Sequence, residues 1–150
     1  ILREDLNDWF ELNCDSHYML FVSDIKKNLQ IPMSSADQKL FGIDKLNIKR
    51  SSLPAITHVD YSARIQTVHK DTNPRYYDLI NEFKKNTNCP VLVNTSFNVR
   101  GEPIVCSIKD AFNCFMGTNL DILVLEDFIL FKDQQDQSLI KDYKNKFELD

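Results

Sequence analysis

Val91-Leu92-Val93-Asn94-Thr95-Ser96-Phe97-Asn98-Val99-Arg100-Gly101-Glu102-Pro103 is the stretch on which the reading of this chain turns. An apolar, β-branched run predicts a buried strand, entered after Pro90, which cannot continue a preceding helix. The run then breaks into amides, hydroxyls, a guanidinium, a Gly and a Pro. Asn94 and Asn98 each carry two donors and an acceptor, and Thr95 and Ser96 carry hydroxyls. Arg100 offers a planar fork that matches phosphate or carboxylate. Gly101 permits a left-handed backbone or a close ligand approach. Such a loop suits a planar amide or carbamoyl group and phosphate oxygens. A polar turn needs no Phe97 between two Asn.

Outward from that loop, helical and strand patterns alternate. Asn73-Pro74 opens a helix, with Tyr77, Ile80 and Phe83, and more weakly Tyr76 and Leu79, as its apolar stripe. Ser107 caps a second helix over Ile108 to Met116, with Gly117 as its stop. Leu120 to Leu125 and Phe128 to Phe131 read as strands joined by Glu126-Asp127. Upstream, Tyr18 to Val22, Ala55 to Val59 and Ala63 to Val68 are strand candidates, and Asp5 to Leu12 is a short helix with Asp5 as N-cap. Ser23 to Ser52 reads as a long surface excursion that carries the solvated basic pairs Lys26-Lys27 and Lys49-Arg50. These elements predict an α/β fold with an open sheet of mixed direction. They place a domain over 1–131 and a tail over 132–150, with a frayed terminal helix in the tail.

The 150 residues suffice for a sizeable core, and 43% hydrophobic with 27% charged residues is the balance of a globular domain. A net charge of −4 and the lack of a basic stripe argue against nucleic acid and anionic membranes as partners. No apolar run is long enough to span a bilayer. The four Cys have no metal-binding spacing and read as free, mostly buried thiols in a reducing cytoplasm. Neither Cys106 nor Cys114 has a neighbouring base in sequence, so both read as core residues. No metal ligand set is assigned, and His17 and His69 read as surface residues.

His58-Val59-Asp60-Tyr61-Ser62-Ala63-Arg64 forms a second constellation. Strand alternation would put Thr57 and Val59 on one face and His58 and Asp60 on the other. Arg64 and His58 could then face an anion together. Equally, they could be a solvated Arg and a core His.

Taken together, His58 to Val68, Asn73 to Tyr76, Pro90 to Val105, Asp121 to Phe128, and Trp9 to Glu11 with Tyr18-Met19 resemble the C-terminal domain of the nodulation-type and antibiotic-tailoring O-carbamoyltransferase family. The resemblance runs from about Ile1 to Leu130. It implies a YrdC-like fold, and it implies that the chain is a piece of a longer protein. The N-terminal partner domain would be sugar-kinase-like and would hold an iron ion. It further implies that carbamoyl phosphate and Mg2+-ATP are made into carbamoyl-adenylate, for transfer to the hydroxyl of a sugar or natural product. Arg64 and Arg100 would grip phosphate and carbamoyl oxygens as the catalytic pair. Asn94, Ser96 and Asn98 would hold the carbamoyl amide, and His58 and Asp60 would shape the pocket. The family has Gly where this chain has Tyr61, a bulkier residue that disfavours positive φ. Alternatively, the domain would be a non-catalytic nucleotide- or RNA-binding module.

Overall fold

A computed structural model of the chain describes residues 1–140. It divides into two compact units, Ile1–Val93 and the residues from Asn94 onward. Both helices and strands are present, so the fold is α/β.

The first unit begins with a 3-10 turn, Arg3–Asp5, that runs into α1, Leu6–Trp9. Asp5 precedes α1 but does not cap it through its side chain. Its carboxylate instead accepts two hydrogen bonds from Lys84 Nζ, at 2.7 and 2.8 Å. β1, Phe21–Asp24, pairs antiparallel with β2, Ser62–Ile65, in the register Phe21↔Ile65 to Asp24↔Ser62. β1 starts later than the sequence pattern suggests. Met19 turns the chain at φ 55°, which leaves Tyr18 and Leu20 exposed rather than paired. Just beyond β2, Val68 forms an isolated parallel bridge with Leu2, while the strand ladders of the described residues are two separate two-stranded antiparallel sheets.

The excursion after β1 is more structured than expected. It holds a 3-10 turn, Lys27–Leu29, and two short helices, α2 (Ser35–Gln38) and α3 (Gly42–Leu46). α2 has a capping box, in which Ser34 accepts from the Asp37 N–H and Asp37 accepts from the Ser34 N–H. Arg50 is not solvated: it is buried, and its guanidinium donates to the carbonyls of Lys45, Leu46, Thr57 and His58. A single side chain thus satisfies four carbonyls of α3 and the following turn.

Ala55 to Val59 is a run of turns, not a strand. Pro54 offers no N–H to a ladder, and buried hydroxyls hold the turn instead. Thr57 Oγ1 donates to the Leu53 carbonyl at 2.6 Å and lies 2.6 Å from Ser51 Oγ. Ser51 Oγ in turn accepts from the Leu53 N–H at 2.8 Å.

α4, Pro74–Thr87, begins at Asn73, whose side chain accepts from the Tyr76 N–H. It ends at Asn88, which adopts the left-handed φ of 59° that closes helices. Ile80 is buried, Tyr76 and Tyr77 are half-buried, and Leu79 and Phe83 face solvent. Two clusters make the core of this unit. One joins Leu6, Phe10, Ile25, Leu53 and Ile65, and the other joins Leu2, Val68 and Ile80. Val91 packs against the first and Leu92 against the second. The apolar run 91–93 is therefore only partly buried, with Val93 exposed, and it joins no ladder, so it is not the buried strand that its composition predicts.

In the second unit, α5 (Ile108–Gly117) starts at Ser107, which accepts from the Asp110 N–H. Gly117 is the last helical residue and keeps a right-handed φ, and Thr118 is the C-cap. β3, Ile122–Leu125, and β4, Phe128–Phe131, form an antiparallel hairpin that turns through Glu126 at φ 51°. Ala111, Phe115, Met116 and Leu123 form the core, with Phe97 packed against them. Two 3-10 turns, Lys132–Gln134 and Gln137–Leu139, follow, and the rest of the expected terminal helix lies outside the described residues. No described helix is long and apolar enough to cross a membrane.

Candidate functional site

The loop from Asn94 to Glu102 is braced from within. Asn98 Nδ2 donates to the carbonyls of Val99 (3.2 Å) and Glu102 (2.8 Å). Glu102 Oε2 accepts from the Val99 N–H at 3.1 Å, and the Glu102 N–H donates to the Val99 carbonyl at 3.0 Å. Gly101 turns the chain at φ 79°. Phe97 is the anchor: its ring packs on the α5 core, and its carbonyl accepts from the Val105 N–H at 3.0 Å. Asn94, Thr95, Ser96 and Arg100 stand exposed around this frame. Among the described residues, the Arg100 guanidinium makes no hydrogen bond or ion pair. The frame braces the loop backbone and leaves the Arg100 guanidinium available to an anion, at the cost of ordering one long side chain.

In the first unit, His58, Asp60 and Arg64 sit on the turn into β2 and on β2 itself. The face division read from alternation persists through turns instead of a strand: Thr57 is buried, while His58 and Asp60 are exposed. His58 Nδ1 lies 2.8 Å from Ser62 Oγ. Asp60 Oδ1 accepts from both the Ser62 hydroxyl (2.7 Å) and the Ser62 N–H (3.1 Å). These bonds, the hydroxyl first, hold the Asp60 carboxyl below its ordinary pKa, and the nearby His58 adds to the effect. Ser62 thus orients both residues, a role that sequence reading gave to neither. Arg64 lies opposite Val22 with its side chain exposed, and among the described residues it has no hydrogen-bond or ion-pair partner.

Tyr61 adopts φ 69° although it is not Gly. Its hydroxyl accepts from the Met33 N–H (3.0 Å) and donates to the Ile31 carbonyl (3.2 Å). Its own carbonyl accepts from the Ile25 N–H at 3.0 Å. The long excursion therefore clamps the strained turn, which offsets the cost of a left-handed Tyr.

All four cysteines are free. Cys114 is buried as expected, and burial, with the Glu102 carboxylate beside it, pushes its thiol up to about 11. It is no nucleophile near neutral pH. Cys14 and Cys106 are exposed, contrary to the expectation of mostly buried thiols.

A family model described as Carbamoyltransferase C-terminus matches residues 1–132. The chain belongs to the carbamoyltransferase C-terminus family. This carbamoyltransferase C-terminal domain is 57% identical over 151 residues to an uncharacterised protein of Synechocystis sp., covering 100% of the chain and 25% of that protein. It is 41% identical over 131 residues to the nodulation protein NolO of Bradyrhizobium diazoefficiens, covering 87% of the chain and 21% of that protein. It is 31% identical over 107 residues to the 3'-hydroxymethylcephem-O-carbamoyltransferase of Amycolatopsis lactamdurans, covering 71% and 16%. The domain thus spans a quarter or less of the length of these relatives.

Proposed function

We propose that this carbamoyltransferase C-terminal domain binds carbamoyl phosphate and ATP and forms carbamoyl-adenylate. An N-terminal domain of the longer protein would then transfer the carbamoyl group to a substrate hydroxyl, in a cytoplasmic setting. The observation that carries this reading is the Asn94–Glu102 loop, braced by Asn98, Glu102 and Phe97 while Arg100 stays solvated.

Two polyanions must meet in such a reaction. Arg64 and Arg100 are each a guanidinium suited to phosphate or carbamoyl oxygens, and Mg2+ enters on the nucleotide and shares that charge. The exposed, uncommitted guanidiniums fit this demand. Ser96 and Asn94 supply the hydroxyl and amide groups that a carbamoyl NH2 and C=O require. The Asn98 NH2 is occupied in bracing the loop, which leaves its side-chain oxygen to accept from the carbamoyl NH2. His58 and Asp60, fixed by Ser62, shape the approach to Arg64. Water takes the phosphoryl group of carbamoyl phosphate as inorganic phosphate and leaves carbamate. A carbamate oxygen then attacks the α-phosphorus of ATP and pyrophosphate departs, and the positioning of the substrates supplies the rate.

Thermal-shift titration of the full-length protein tests the reading. Carbamoyl phosphate and Mg2+-ATP at 100 times their Kd each add about 2.7 kcal/mol of stability, visible as a rise in Tm. Pyrophosphate should appear only when both are present. Stabilisation by ATP alone, with no pyrophosphate, would point instead to a nucleotide-binding module.

A further inference from the structure

Asp15 and His17 are neighbours across Ser16, whereas His69 is distant from both in the sequence. The fold brings them together. Ser16, between the first two, is tied to the chain leaving β2: its N–H donates to Thr67 Oγ1 (2.9 Å), its hydroxyl to the Ile65 carbonyl (2.7 Å), and its carbonyl accepts from the Thr67 N–H (2.8 Å). Gln66 Nε2 also donates to the His17 carbonyl at 2.8 Å. This stitching fixes the backbone of 15–17 beside His69. One ligand-type atom from each of Asp15, His17 and His69 then lies within 4.8 Å of the other two.

His69 is the telling member. Its Nε2 is buried and has no hydrogen-bond partner. The nearest carboxylate oxygen, Asp15 Oδ2, is 3.8 Å away, beyond hydrogen-bond reach. Asp15 Oδ1 is held by Arg3, which leaves Oδ2 turned to His69. The His17 and His69 rings lie 4.6 Å apart, centroid to centroid, at 32°. Two imidazoles so close to each other repel if both are protonated. Buried nitrogens without hydrogen-bond partners are rare, and an ion held between His69 Nε2 and the Asp15 carboxylate would satisfy this one.

We propose that Asp15, His17 and His69 bind a divalent first-row cation of the zinc class. Two neutral imidazoles and a carboxylate are a zinc-type donor set, shared with non-haem iron. The edges of a zinc tetrahedron are about 3.4 Å, from metal–ligand distances of about 2.05 Å. The 3.8 Å pair is near that value, and the wider 4.8 Å limit closes by rotation of the exposed His17 and Asp15 side chains. His17 and His69 also line a cleft of about 370 Å³ with Thr67, Thr72, Asn73 and Tyr76. Three protein ligands leave coordination positions open for water or an oxygen ligand, and two of the three line that polar cleft. Three ligands with one negative charge leave the bound dication net positive, so an anionic ligand is favoured there.

Equilibrium dialysis against Zn2+ followed by metal analysis of the full-length protein tests this, with Co2+ as a visible-absorption probe. Wild type should hold about one equivalent of Zn2+ more than His69→Ala or His17→Ala. Its Co2+ spectrum should carry four-coordinate bands that both variants lose. Asp15→Asn should weaken Zn2+ binding by about tenfold or more, the size of a lost ligand or ligand-orienting contact. If His69→Ala does not fold, the exposed His17→Ala carries the comparison. His58→Ala, an exposed His outside the cluster, should leave Zn2+ uptake unchanged. Equal Zn2+ content in wild type, His17→Ala and His69→Ala would overturn the proposal, as would a loss on His58→Ala as large as that on His17→Ala.

Discussion

Ser62 shows how one hydroxyl can set a candidate site. It donates to Asp60 Oδ1 and sits 2.8 Å from His58 Nδ1, so both side chains are held in place before any ligand arrives. Because the bonds from Ser62 favour the charged carboxylate, Asp60 should titrate below the ordinary Asp value of about 3.9. The sign follows from linkage. A depressed folded pKa adds stability above the unfolded pKa, and that stability is lost as the pH falls from about 4 through the folded value. In Ser62→Ala, NMR titration should move the Asp60 midpoint up toward the ordinary value, and an unmoved midpoint would remove Ser62 from this role. Tyr61 makes a parallel case. Tyr61→Phe keeps φ 69° but loses the hydroxyl bonds to Ile31 and Met33, at a cost of about 1 kcal/mol in chemical denaturation.

Elements were legible where local signals and tertiary pairing agree. α4 follows from Asn73-Pro74 and α5 from Ser107, and each cap accepts the hydrogen bond its residue type predicts. The β3–β4 hairpin was equally plain, because two apolar runs flank a two-residue turn. What failed did so for physical reasons. Ala55 to Val59 has strand composition, yet the hydroxyls of Ser51 and Thr57 close it into turns. Val91 and Leu92 pack half-buried against the core without a ladder, and Val93 is exposed; a short apolar run does not by itself distinguish this from a strand. Arg50 looked solvated because nothing local marks a buried cation, and only the fold assembles four carbonyls around it. The candidate loop was legible as chemistry, through its amides and Arg100. The bracing by Asn98 and Glu102, and the clamp on Tyr61, depend on contacts that sequence does not announce.

These elements carry two further expectations. Ser107→Ala removes the α5 cap and should cost about 1 kcal/mol by denaturant unfolding. Arg50→Ala orphans four carbonyls, two of them on α3, and should cost about 2–4 kcal/mol. A loss under about 0.5 kcal/mol, the usual range for surface substitutions, would mean that the guanidinium merely lies against the turn.

For the molecule as a whole, family membership and the short share of each relative's length set the expectations. Under the proposed division of labour, these 150 residues alone should show little or no carbamoyl transfer to any hydroxyl acceptor. Measurable transfer by them would refute that division.

The loop from Asn94 to Glu102 bears most of the functional reading, and Arg100 is its charged contact. Isothermal titration of carbamoyl phosphate into the full-length protein, wild type against Arg100→Ala, addresses it directly. Loss of one charge-assisted bond predicts affinity weakened by about tenfold or more, with Tm unchanged because Arg100 is exposed and outside the bracing bonds. Equal affinity in the two proteins would contradict the assignment of this loop to carbamoyl phosphate.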